Sequence, residues 1–180
     1  MSSTFVNRLS AAGVLLVTLG SPGVASAQYR LPTVISSVKA DSLHEAAEAL
    51  AAVHRYRDAA GLHRRSAKLR PAEDPLGFRC LSEAAALVYA AGDRSAARGD
   101  LARAADHALA RGDLRSAALA YLDAAWIAQE QRNPRQVWEL GHRAEMLAES
   151  PLLGSTDRAA ILQRIKRPSL AMHLPSPTSP

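Results

Sequence analysis

A single cysteine, Cys80, stands in 180 residues, so no intrachain disulfide can form and a buried small thiol is expected. Aromatic side chains make up only 4% of the chain, which does not suit the core of a β-sandwich or barrel. There is no Gly-rich phosphate loop and no nucleophile elbow, and no spacing links a serine or cysteine to a base. Catalysis is therefore not expected, nor is any cofactor. Strong charge of one sign is also missing. The 22 basic and 17 acidic residues leave a net +5 spread along the chain, which suits solubility better than nucleic-acid binding. What remains in quantity is alanine, and a core made of it needs closely packed helices.

The chain opens on MSSTFVNR, with Arg8 before the apolar run LSAAGVLLVTL and then GSPGVASAQ, where Ala25-Ser26-Ala27 has the small-x-small cleavage pattern. This order predicts a secretory signal peptide over 1–27, cleaved near Ala27. The run falls short of the roughly 20 residues that span a bilayer, so a retained anchor is the weaker reading. Cleavage removes one positive charge and leaves +4. Export to a periplasm or the medium argues further against nucleic acid. The Ala/Arg-rich composition and the leader type point to a bacterial envelope. Residues 28–39, QYRLPTVISSVK, read as an extended linker.

From Asp41 to Ser150, runs of helix formers alternate with breaks at 54–56, 70–75, 90–93, 111–113 and 132–134. Gly92 and Gly112 suit a left-handed helix end, while Asp93, Asp113 and Asn133 suit N-caps, with Pro134 in a first turn. Six helices are predicted, over about 41–53, 56–70, 76–91, 94–110, 114–131 and 134–149. Taken in pairs they share a register. The first helices carry Leu43, Ala46, Ala47 and Leu50, then Leu81, Ala84, Ala85 and Val88, then Tyr121, Ala124, Ala125 and Ala128. Spacings of three and four put each set on one face. In the second helices Ala59 and Ser66, Ala97 and Ala104, and Val137 and Ala144 are equivalent. The glycines Gly61 and Gly99 fall two residues after such alanines, inside helices, and suggest close helix approach.

A helical hairpin recurring every 38 to 40 residues hides its apolar face by stacking on its neighbours. Over residues 40–151 the pattern resembles the tetratricopeptide family, whose unit of about 34 residues carries W-x2-L-G-x2-Y, then A-x3-F and a proline. The first unit matches best, through Leu43, Ala46, Ala47, Leu50, Ala59 and Pro71. The chain departs from the family in three ways. Alanine replaces its glycine, His63 and Gly141 stand where an aromatic is expected, and the units are longer. The resemblance implies an all-α, right-handed solenoid of three antiparallel hairpins. A helix over 155–167 would close the stack, capped by Asp157 and apolar at Ile161, Leu162 and Ile165. The Pro/Ser-rich tail, 168–180, is expected to be disordered.

The resemblance also implies a concave face formed by the first helices, where partner peptides or helices lie. Offset from the core register, Asp41, His44, Glu48, Arg79, Ser82, Tyr89, Leu122, Trp126, Gln129 and Glu130 would line it. Trp126 and Tyr89 offer the most contact area. The face lacks the lysines and asparagines with which some relatives clamp a C-terminal carboxylate. The implied function is a non-catalytic scaffold or adaptor that holds another protein. An alternative is an accessory subunit docked on a membrane complex, with Arg158, Arg164, Lys166 and Arg167 facing an anionic surface. A third reading, a small hydrolase or metal-binding protein, starts from HEAAE at His44–Glu48. It lies one residue from the zinc motif HExxH, with Glu48 in place of the second histidine. No third ligand is indicated by spacing, so no metal site is expected. His54, His63, His107 and His142 read as surface or packing residues.

Overall fold

The computed structural model of the chain describes residues 22–166, and side chains from residue 36 onward. The leader thus falls largely outside the described residues, as does the tail from 167. The chain divides after Thr33 into two units, and the packed helices belong to the second, from Val34. The described residues hold helices and no strand: α1 (Pro22–Ala52), α2 (Tyr56–Leu69), α3 (Pro75–Ala90), α4 (Arg94–Ala110), α5 (Leu114–Glu130), α6 (Pro134–Glu149) and α7 (Ser155–Ile165). From α2 to α7 each helix packs on the next, and α7 also touches α5. None of these helices is long and apolar enough to cross a membrane.

The boundaries follow from local chemistry. Asp93, Asp113 and Asn133 each accept a hydrogen bond from a backbone N–H three residues on, of Ala96, Ser116 and Gln136. Such a cap satisfies one of the helix's orphan donors. The preceding residue is left-handed each time: Gly92 at φ +83°, Gly112 at +74° and Arg132 at +54°. Only glycine takes that conformation without steric cost, and Arg132 bears it in an otherwise identical turn. Asp74 also caps α3, accepting from the N–H two residues on, of Leu76.

Three expectations need correction. Residues 28–39 are helical, part of α1, and not extended. Adding residues to an existing helix is far cheaper than nucleating one, so the strong helix former DSLHEAAEALAA extends backward. Asp157 does not cap α7. That helix begins earlier, after Gly154, so Asp157 lies in its first turn and pairs with Arg115 at 3.2 Å. Finally, Gly61 and Gly99 mark no close approach, since a Cβ added at either meets nothing within 4 Å. The tight position is Gly77, where a Cβ would stand 2.2 Å from His107 Nε2, so the ring of α4 rests on bare α3 backbone. Because an interior glycine costs a helix about 1 kcal/mol relative to alanine, Gly99→Ala should raise the unfolding free energy by about 0.5–1 kcal/mol in a urea titration. A loss of stability would show that the position is packed.

The core lies along the shared register. Leu81, Ala84, Ala85 and Val88 of α3 and Tyr121, Ala124, Ala125 and Ala128 of α5 are all buried, as are Ala59, Ser66, Ala97, Ala104, Val137 and Ala144 of the second helices. In α1 Ala47 is buried but Ala46 is exposed. Alanine lets the helices approach closely, but each contributes little area, so the few large buried side chains carry much of the hydrophobic stabilisation. Leu122, Ile161 and Val137 are the largest of the fully buried apolar ones. Ile161 belongs to α7, which covers the end of α5 and α6. There Arg158 donates to the carbonyls of Ala148 (3.0 Å) and Ser150 (2.9 Å), satisfying acceptors that the end of α6 leaves open.

Candidate functional site

An open groove of 560 Å³ runs along α3 and α5, with Leu101 of α4 in its floor. Its α3 wall is Phe78, Ser82, Ala85, Ala86 and Tyr89. Its α5 wall is Ser116, Leu119, Ala120, Asp123, Trp126 and Ile127. Residues recurring at three and four put one continuous stripe of each helix into the groove. At one end Trp126 remains 40% exposed, although Tyr89 lies against it at 5.8 Å between ring centroids. Tyr89 is itself held. Its hydroxyl donates to Glu130 at 3.0 Å, Arg94 donates to the same carboxylate at 3.1 Å, and the Arg94 guanidinium sits over the Tyr89 ring. Tyr89 is thus fixed, and it gives Trp126 a wall to lie against.

Of the ten residues expected to line one concave face, Ser82, Tyr89 and Trp126 meet in this groove, and Glu130 stands behind Tyr89. Leu122 does not line it. The side chain is 2% exposed in the core, because the α5 stripe that faces the groove is 116, 119, 120, 123, 126 and 127, one step around the helix. Gln129 is half-buried and outside the lining. Asp41 is a clamp between α1 and α2, accepting from Arg70 at 2.6 Å, while Arg70 also donates to Asp74 at 2.8 Å. Apart from Leu101, the groove residues not expected from the sequence stand on α3 and α5 and share the helical period of those that were, as Phe78 and Ala85 do with Ser82 and Tyr89, and Leu119 and Asp123 with Trp126.

His44, Glu48 and Arg79 gather elsewhere, around a second site. His44 of α1, His63 of α2, and Cys80 and Glu83 of α3 bring one ligand atom each to a common point, all within 4.8 Å of one another. The two Nδ1 atoms of His44 and His63 are 3.3 Å apart. Cys80 Sγ lies 3.6 Å from His44 Nδ1, and Glu83 Oε2 lies 3.6 Å from His44 Nδ1 and 3.4 Å from His63 Nδ1. His63 and Cys80 are buried, while His44 and Glu83 are partly open to solvent. Burial lowers the pKa of His63, though the Glu83 carboxylate opposes this, and it raises the thiol of Cys80. Around the four stand Glu48, 3.3 Å from His44 Nε2, and Arg79, which donates to Glu83 Oε1 at 2.6 Å.

The basic residues of the last helix are partly committed within the chain. Arg158 caps α6, Arg164 pairs with Asp123 beside the groove, Lys166 is exposed, and Arg167 lies outside the described residues. Comparison with known protein families, with curated proteins and with solved structures finds no match.

Proposed function

We propose that this chain is a non-catalytic interaction module of an exported bacterial protein, which holds a segment of another protein in the groove between α3 and α5. In this reading α1–α2, α3–α4 and α5–α6 are three tetratricopeptide-like hairpins of a right-handed solenoid, and α7 closes the stack. The observation that carries it is Trp126, a large amphipathic ring left exposed at the end of an apolar trough and lying against Tyr89, which Glu130 and Arg94 hold in place. A side chain already fixed in place loses little entropy on binding, and tryptophan and tyrosine are the residues on which binding energy concentrates. The small walls of Ser82, Ala85, Ala86 and Ala120 leave room for a partner's larger side chains. A partner helix or extended segment with a large apolar anchor fits this chemistry. Arg158 and Arg164 are engaged within the chain, so the groove rather than a basic face toward a membrane carries the reading.

Peptides selected from a display library on the full chain test it. Trp126→Ala should weaken the selected peptides by about 30-fold, as expected of a hot-spot residue worth about 2 kcal/mol, while Arg65→Ala on exposed α2 surface should leave affinity unchanged. Peptides that bind Trp126→Ala as tightly as the unaltered chain would overturn the proposal.

A further inference from the structure

We infer that His44, His63, Cys80 and Glu83 form a four-ligand zinc site that ties α1, α2 and α3 together. A metal bonded at about 2.0–2.3 Å to four tetrahedral donors sets them roughly 3.3–3.6 Å apart. Of the six separations among these ligand atoms, four are 3.3, 3.4, 3.6 and 3.6 Å, and all lie within 4.8 Å, so a small inward shift completes the sphere. Both histidines turn the same ring nitrogen, Nδ1, inward.

Without a cation this convergence is poorly satisfied. The thiol of Cys80 has one proton for two acceptors, Ser66 Oγ and His44 Nδ1, each 3.6 Å away. Glu83 Oε2, buried, has no hydrogen-bond partner. Two facing imidazole nitrogens share at most one proton between them in their neutral forms. A divalent ion satisfies all four lone pairs at once. It also balances the charge, since one thiolate and one carboxylate neutralise Zn²⁺ and a buried site is left with none, the arrangement that burial penalises least.

The surroundings are those of a supported site. A metal-bound histidine usually places its outer nitrogen against a carboxylate, and Glu48 stands 3.3 Å from His44 Nε2. Arg79 fixes the outer oxygen of Glu83 at 2.6 Å. Ser66, beside the sulfur, is pinned by its own bond to the Ala40 carbonyl at 2.7 Å. The mixed nitrogen, sulfur and oxygen set suits zinc better than the hard cations. Four protein ligands leave no open position, so the ion is structural and polarises no substrate. On binding, the Zn–S bond replaces the S–H bond of Cys80 and the proton leaves to solvent, no electron being transferred. The ion enters from the side of His44 and Glu83, the two ligands that solvent reaches.

The full chain, stripped with chelator and titrated with Zn²⁺ or Co²⁺ alone, tests this. One equivalent should bind, zinc should raise Tm, and Co²⁺ should give tetrahedral bands with a thiolate charge-transfer absorption. Cys80→Ser should lose that absorption, and Glu48→Gln should weaken zinc by about 10-fold, the lower end for an outer-sphere partner. Should Cys80→Ser not fold, Glu83→Gln, at the solvent side, decides by losing the zinc-dependent rise in Tm. Absence of stoichiometric binding, a Co²⁺ spectrum without thiolate character, or undiminished affinity in a folded ligand variant would overturn the inference.

Discussion

Asp100→Ala is expected to lower the unfolding free energy by about 3 kcal/mol, because a buried charge pair broken on one side leaves the other charge uncompensated. Asp100 is 0% exposed, midway along α4. Arg64 of α2 grips it with two nitrogens, at 2.7 and 3.0 Å, and Arg103 adds a further bond. Removing the carboxylate strands the Arg64 guanidinium between α2 and α4, where it is only 30% exposed. The same physics gives the control. Exchanging both partners, as Asp100→Leu with Arg64→Met, removes the desolvation cost along with the attraction, so the double variant should recover most of the loss. Urea denaturation of the three proteins checks this. A double variant no better than Asp100→Ala would mean that the pair contributes through net attraction and not through mutual compensation.

Ile161→Ala is expected to cost about 2–3 kcal/mol, at the low end for truncating a large buried aliphatic. The end of the stack explains why the cost is not larger. Ile161 is the only fully buried residue of α7, seated with Leu153 against the α5 and α6 core and flanked by Leu162 and Ile165. A helix attached at one end of a stack can undock by itself, which caps the loss at its own docking energy. Amide hydrogen exchange should therefore show protection falling in α7 and the adjoining ends of α5 and α6, with α2 and α3 unchanged. Uniform loss through all helices would mean that the stack unfolds as one unit.

The helices were legible in the sequence because their ends carry explicit chemistry. Asp93, Asp113 and Asn133 recur at intervals of 20 residues, each after a left-handed position. The core register was legible for α3 and α5, which have helices on both sides, and less so for α1, where Ala46 is exposed. Glycine misled at Gly61 and Gly99, since the residue type shows that a side chain is missing but not what would have filled the space. Asp100 could have been found, because it occupies the place in its hairpin that Leu140 holds in the next, and a carboxylate there announces a buried charge. His63 gave a similar sign by standing where an aromatic was expected. Its partners could not be read, because His44, His63 and Cys80 stand on three successive helices and meet only through packing. Half of a zinc motif was visible at His44 and Glu48, yet Glu48 is the outer neighbour and not a ligand atom of the cluster.

The claim that a partner segment lies between α3 and α5 is tested most directly by mapping backbone amide shifts of the full chain on titration with a selected peptide. Changes should concentrate at residues 78–89 and 116–127, the two walls of the groove. Changes confined to α2 and α4, or to the outer face of α6 around Trp138 and His142, would contradict it.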